Sequence, residues 1–243
     1  GQLERRENYK NGKEHGLWEW FYENGQLQFR ENYKNGKQDG FLVGYDENGQ
    51  LKVKGNFKDG KYGGLSEWFY DNGQLEWLPQ ENIVFNGADV ALNTQVNLSE
   101  TAVFAGWEVV CLGRQASGER WTSGRFRQKL LIKREDRLIW NESALLDPDS
   151  RVLRSMAGLH NQVVFGSFVV AAGTAPAEIL QSCQDINIDS SADYGVSALP
   201  DIFTARYIGP CAQEAKIYFE KLWHCLRPWY GKRSAVRPRI WAT

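Results

Sequence analysis

The chain has 243 residues, with 29 Lys+Arg against 30 Asp+Glu and a formal net charge of −1. Hydrophobic residues make up 42% and charged residues 24%, so the chain can bury a core and is not disordered by composition. The near-zero charge argues against a dedicated nucleic-acid or anionic-lipid binder, and no apolar run approaches the roughly 20 residues of a membrane-spanning helix.

Ten Trp, ten Tyr and twelve Phe beside 24 Gly and a single Met predict β structure with many turns. Gly1 opens on a charged, polar segment, so no signal peptide is expected; a Gly in place of an initiator Met points to a processed, excised or partial chain. Cys111, Cys183, Cys211 and Cys225 show no CxxC spacing. They read as free thiols of a cytoplasmic protein, with a disulfide framework as the alternative.

A repeat of 24 residues opens the chain. Asn-Gly-Gln-Leu recurs at Asn24, Asn48 and Asn72, and Asn/Asp-Gly-Lys recurs at Asn11, Asn35 and Asp59. Asn-Gly and Asp-Gly predict type I′ hairpin turns, because both central residues need positive φ. The segments between them have strand length. Leu17, Phe41 and Leu65 align, as do Phe21, Tyr45 and Phe69, and Tyr9, Tyr33 and Phe57. These columns predict an antiparallel meander with one continuous apolar face. Trp18, Trp20 and Tyr22 alternate onto the other face, where the second copy has Leu42, Gly44 and Asp46.

The period fails at Glu76-Trp77-Leu78-Pro79-Gln80-Glu81, where Asn is due at residue 80. Pro79 fits poorly in a central strand. A domain seam is therefore placed here, dividing residues 1–76 from 77–243, with the two parts abutting. Beyond it, residues 82–140 read as strands, with Val103 to Leu112 and Phe126 to Ile132 the clearest runs. Val163 to Val170, broken by Gly166, and Ile202 to Ile208 follow. Pro176 to Cys183 predicts a short helix with Thr174 as its cap. In residues 211–226, Ala215, Tyr218, Phe219, Leu222, Trp223 and Leu226 recur at helical spacing, and Pro228 is expected to end the helix. The repeat sheet is expected to pack on the second part, with Trp68, Phe69, Leu75, Trp77 and Leu78 near the junction.

Catalytic signals are weak. His15, His160 and His224 are the only histidines and have no metal-ligand spacing. His224 and Cys225 are neighbours whose side chains diverge by about 100° on a helix. Ser117 has no evident His-Asp partners, and the glycine-rich phosphate loops are missing. No catalytic residue, resident cofactor or metal ligand is expected. Arg227, Lys232, Arg233, Arg237 and Arg239 form a basic C-terminal run that reads either as a solvated face or as a dock for an acidic partner.

The pattern Asn-Gly-Lys-x-x-Gly-x-x-x-x-(Phe/Tyr)-(Tyr/Asp)-x-Asn-Gly over residues 1–76 resembles the bacterial MORN-repeat variant of YwqK-like antitoxin proteins. That resemblance implies a scaffold or protein-binding module. A lipid role is disfavoured, because the segment carries 11 Lys+Arg against 13 Asp+Glu.

Four further stretches come in order. They are Leu75 to Phe85; Trp107 to Arg120 continuing to Gly124-Arg125; Val164-Phe165-Gly166-Ser167; and Leu226-Arg227-Pro228 with the terminal Pro238-Arg239-Ile240-Trp241-Ala242-Thr243. Together they resemble the urease accessory protein family UreD, also called UreH, over residues 75–243. The family's N-terminal part, with its His-Pro-Pro-Gly-Gly-type motif, is absent, and the repeat stands in its place.

The two resemblances imply a mainly β chain: an antiparallel meander of MORN-like repeats, then a UreD-like stacked, β-helical domain with two helices. They also imply a non-enzymatic scaffold assisting nickel delivery to urease, with UreF and UreG homologues and the urease apoprotein as partners and nickel as transient cargo. Glu108, Arg114, Glu119 and Arg125 form a polar cluster inside a family-like motif. It reads either as a buried ion-pair network or as a partner contact or polar passage. Arg227, Arg239 and Trp241 join the second reading by resemblance. The alternatives are an antitoxin-like interaction module whose repeat sheet binds another protein, and a chimeric or truncated chain without maturation activity.

Overall fold

The computed structural model describes residues 4–49, 51–58, 60–62, 66–70, 73–238 and 241. The repeats form β1 (Arg5–Arg6), β2 (Tyr9–Lys10), β3 (Lys13–Glu14), β4 (Gly16–Phe21), β5 (Leu27–Lys34), β6 (Lys37–Tyr45), β7 (Leu51–Lys58), β8 (Lys61–Tyr62) and β9 (Ser66–Tyr70). After them come β10 (Gln74–Trp77), β11 (Asn82–Val84), β12 (Asp89–Leu98), β13 (Val103–Leu112), β14 (Arg125–Arg134) and β15 (Arg137–Leu146). The chain continues through α1 (Arg151–Arg154), β16 (Val164–Ala171), α2 (Ala177–Gln184), β17 (Asp193–Leu199), β18 (Ile202–Gly209) and α3 (Ala212–Gly231). It is mainly β, as the composition and repeat predict. Two compact units result. One holds residues 1–71, 91–100 and 128–143, and the other holds the remainder.

In the first unit, β4 to β7 form the predicted antiparallel meander, and β9 pairs with β7. The sheet does not stop where the repeat does. β9 pairs in parallel with β12, Trp68 opposite Val96, and the order continues through β14 to β15. The repeat strands are thus joined to later strands by backbone ladder bonds, edge to edge, rather than by an apolar face alone. Unpaired edge N–H and C=O groups are satisfied by this pairing. Of the residues expected near the junction, Trp68 and Phe69 lie on β9, whereas Leu75 and Trp77 lie on β10 in the other unit.

The turns are of two kinds, not one. Asn11-Gly12 and Asn35-Gly36 have positive φ at both residues, as type I′ turns require. At Asn24-Gly25 and Asn48-Gly49 only the glycine is left-handed. There Gly25 N–H donates to Tyr22 O at 2.8 Å and Gly49 N–H to Asp46 O at 3.0 Å, and a register shift follows Trp20 and Gly44. A type I turn with a glycine bulge explains this pattern. Asp59 and Asn72 lie outside the described residues.

The predicted apolar columns do not share one continuous apolar face: Tyr33 lies on the Trp18 side, and the Leu17 side is not uniformly apolar. Tyr9 and Phe41 are exposed, Phe41 by 70%, and Glu19 sits buried on the Leu17–Phe21 face. Its carboxylate survives because two cations reach it: Arg6 at 3.0 Å and Arg30 at 2.7 Å. The opposite face carries the packing. Trp18 is buried against Tyr33, Trp20 and Tyr9 at centroid distances of 5.1, 5.8 and 5.3 Å. The register also aligns Trp20, Phe29, Gly44 and Val53 across four strands. A Cβ on Gly44 would stand 2.7 Å from the Phe29 ring and 2.8 Å from Val53. The irregular second copy is therefore a packing requirement: the glycine admits the Phe29 ring.

In the second unit the sheet order is β10-β13-β16-β18-β17. The four strand runs named from the sequence appear as β13, β14, β16 and β18. β10 and β11 both lie parallel to β13, at Gln74–Trp77 and Asn82–Val84, and the Leu78–Glu81 segment links them. α3 packs its predicted face on this sheet, with Phe219, Leu222 and Leu226 fully buried. Each such side chain contributes about 1.5–3 kcal/mol by leaving water. Gly166 leaves no room for a side chain, since a Cβ there would meet Glu108 O of β13 at 2.7 Å and the Phe219 ring of α3 at 2.9 Å.

Two helix boundaries differ from expectation. α2 begins at Ala177 after Pro176, not with Thr174 as its cap. α3 runs through Pro228 to Gly231. Proline removes one backbone hydrogen bond and disturbs the turn before it, but side-chain bonds described below hold this last turn in place. The short helix α1 has no counterpart in the sequence reading.

The row across the repeat sheet yields a test. Gly44→Val should cost about 1–3 kcal/mol by overpacking against Phe29 and Val53. Urea denaturation of the full chain measures it, and an unchanged midpoint would show that the ring does not need the space.

Candidate functional site

The most developed polar centre of the second unit is built on Glu76, an acidic residue flanked by Leu75 and Trp77 on β10. Period-two alternation turns its side chain away from those of Leu75 and Trp77, and α3 lies within its reach. On α3, Trp223, Arg227 and Tyr230 recur at i, i+4 and i+7 and so share one face. All three donate to the Glu76 carboxylate. Trp223 Nε1–H reaches Oε1 at 2.9 Å and the Tyr230 hydroxyl reaches it at 2.6 Å. Arg227 binds bidentately, Nε to Oε1 at 2.9 Å and Nη2 to Oε2 at 2.6 Å. The Glu76 and Arg227 side chains are only 14% and 11% exposed.

Burial alone would raise the Glu76 pKa. The hydrogen bonds from Arg227, Trp223 and Tyr230 outweigh it and hold the carboxyl below its usual range. The Tyr230 hydroxyl is pushed up by burial and by its bond to Glu76, so it remains a donor.

The same motif is clamped at two more points. Lys216 Nζ donates to Glu81 at 2.8 Å and to Gln80 at 3.1 Å, and Trp107 Nε1–H donates to Pro79 O at 2.8 Å. Burial opposes ionisation of Glu81, but Lys216 wins and lowers its pKa. The tail after α3 folds back over this region. Arg227 Nη1 donates to Ser234 O at 2.9 Å, Arg237 pairs with Glu220 at 3.2 Å, and Trp241 packs between Trp107 and Trp223 at 5.3 and 5.5 Å. Between Pro79, Trp107, Lys216 and Trp241 remains a cavity of about 30 Å³, room for about one water.

The residues singled out from the sequence fall in different places. Arg114 and Glu119 do meet, with Nη2 to Oε1 at 3.0 Å, but on an exposed turn where the Arg114 side chain is 56% exposed. Of the two readings of this cluster, the buried ion-pair network does not form, and the Arg114–Glu119 pair locks a surface turn. Gly113 and Gly118 are left-handed there, and Glu119 also accepts from the Arg114 and Asn86 backbone N–H groups at 3.1 and 3.4 Å. The Arg114 guanidinium lies 5.1 Å from the Phe85 ring centroid. Glu108 is half-buried in mid-β13, opposite Ser167, and Arg125 is exposed at the start of β14.

Arg227 points inward rather than forming part of a solvated basic face. Trp241 joins it through Trp223, over which the Arg227 guanidinium stacks at 4.9 Å. Arg239 lies outside the described residues. The sequence reading did not nominate Glu76, Trp223 or Tyr230. The available signal was an arginine on the apolar face of a helix, which demands a buried acid.

Among the described residues, no group of three His, Cys, Asp or Glu side chains could hold a metal ion, and no helix is long and apolar enough to cross a membrane. The Glu76 centre can do one thing well: hold a strand, a helix and a folded-back tail in fixed relation.

Residues 70–242 match the family model of the UreD urease accessory protein, and residues 14–35, 42–59 and 62–76 match the MORN repeat variant. The chain is 55% identical over 168 residues to the urease accessory protein UreD of Methylobacillus flagellatus, 42% over 171 residues to that of Dechloromonas aromatica, and 38% over 168 residues to that of Azoarcus sp.. In each case the match covers 69% of this chain and 59% of the relative. The chain thus spans about three fifths of the length of these relatives.

Glu76→Gln leaves Arg227 without its buried counter-charge and should cost about 3 kcal/mol at neutral pH. Because folding lowers the Glu76 pKa, that contribution is present above the unfolded value of about 4.3 and is lost as pH falls through the lower folded value. The gap between wild-type and variant melting temperatures should therefore be full at neutral pH and narrow in acid. Arg114→Ala, on its exposed turn, should leave the melting temperature essentially unchanged.

Proposed function

The chain belongs to the UreD family of urease accessory proteins, and on that premise we propose that it is a non-catalytic scaffold in urease maturation. The observation that supports this most is the match over residues 70–242. The Glu76–Arg227 centre adds to it, since it braces a rigid body suited to holding partners rather than to transforming a substrate. In this role the chain assists nickel delivery to apo-urease together with UreF and UreG homologues. Nickel is cargo in transit rather than a resident cofactor, and the GTPase chemistry belongs to the UreG homologue. Partner surfaces would include the exposed Arg114–Glu119 turn with Phe85, and Arg125 at the start of β14.

The repeat sheet favours a second, compatible role as a docking surface for another protein. Phe41, in mid-strand on β6, is 70% exposed and offers an apolar contact on that sheet.

The test is co-purification of the full chain with a UreF homologue from the same genome, together with rescue of urease activity in a cell lacking its own UreD. Complex formation at micromolar concentration and restored activity are expected. Arg114→Glu should weaken capture at least tenfold without changing the melting temperature. Absence of binding at micromolar concentration would overturn the maturation role, and capture unaffected by Arg114→Glu would remove that turn from the interface.

A further inference from the structure

The second unit holds a pair of thiols that the scaffold role does not use. Cys183 is on α2 and Cys225 on α3, and their sulfurs are 3.5 Å apart. Neither is in a disulfide. The two differ in surroundings. Cys183 is 1% exposed within the core. Cys225 is half-buried and lines an open cleft of about 440 Å³ with Ser182, Ile186, Asn187, Lys221 and His224. A pair serving only as small apolar filler has no need of an opening to solvent at one sulfur.

We propose that Cys183 and Cys225 are a reactive dithiol, oxidised to an intramolecular disulfide by a low-molecular-weight disulfide that enters this cleft. Lys221, which donates to Asn187 O at 2.8 Å, places a cation at its rim for a carboxylate-bearing oxidant.

The exchange proceeds in two balanced steps. Cys225 loses its proton, and its sulfur attacks one sulfur of the small disulfide. That S–S bond breaks, and the first small thiolate leaves with the electron pair and takes up a proton. Cys183 then loses its proton and attacks the Cys225 sulfur of the mixed disulfide, releasing the second small thiol. Two protein thiols are oxidised and one small disulfide is reduced to two thiols. Cys225 lines the cleft and Cys183 lies buried behind it, so Cys225 attacks first and Cys183 resolves; burial pushes the Cys183 thiol up. Closing the 3.5 Å between the sulfurs to a bond of about 2.05 Å requires a movement of about 1.5 Å. The product ties α2 to α3, the helix that carries the donors to Glu76.

The reduced full chain is incubated with glutathione disulfide at mildly alkaline pH, quenched with an alkylating reagent and mapped by mass spectrometry. The expected product is a Cys183–Cys225 cross-linked peptide, with Cys111 and Cys211 alkylated. The melting temperature should rise by about 5–10 °C and return on reduction. Cys183→Ser should trap a glutathione adduct on Cys225, whereas Cys225→Ser should leave Cys183 unmodified. Recovery of both Cys183 and Cys225 as alkylated thiols from the wild-type chain overturns the proposal. So does a wild-type adduct that stops at Cys225, since Cys183 would then not resolve it.

Discussion

A carboxylate placed inside a protein is tolerated only if donors surround it, and much of the second unit is organised by that demand at Glu76. Trp223, Arg227 and Tyr230 all come from α3, so satisfying one acid fixes both the rotation and the axial position of the helix against β10. The last turn of α3 continues past Pro228 because Tyr230 is bonded on its far side. With Arg227 held, its remaining Nη1 donor captures Ser234 O and turns the chain back, and Trp241 then closes over Trp107 and Trp223. Such a centre is worth more as a positioning device than as net stabilisation, since the desolvation of both charges offsets much of their attraction.

The first unit solves a different problem, that of a thin repeat sheet with little interior. Its two faces are filled by unlike means. One face collects aromatic rings around Trp18. The other buries a single acid, Glu19, between Arg6 and Arg30. The sheet then extends through the parallel pairing of β9 with β12, which leaves neither strand as an open edge at that position. An edge-to-edge join of this kind needs backbone complementarity rather than a matched apolar surface. That makes it an accessible way to append a repeat array to strands of another family.

In this member of the UreD family the polar residues of the second unit divide into inward and solvent-facing sets. The inward residues, Glu76, Arg227 and Trp241, serve the framework. The Arg114–Glu119 turn, with Gly113 and Gly118 in the left-handed region, faces solvent instead.

Much was legible from local pattern alone. The 24-residue period located β4 to β7, the apolar run at 103–112 matched β13, and helical spacing named the buried face of α3. These are short-range signals, governed by side-chain periodicity and turn chemistry over a few residues. The ordered motifs of residues 75–243 likewise carried the family. The tertiary structure alone decided how each face of the repeat sheet is filled, because Gly44 reads as a defect until the Phe29 ring is seen over it. It alone decided that Arg114 lies outside and Arg227 inside: helical spacing puts Arg227 among apolar residues, but which acid meets it depends on what folds over the helix. Glu76 and its first donor, Trp223, are 147 residues apart. No local rule pairs groups at that distance, because the choice depends on which buried charge would otherwise be left without a partner.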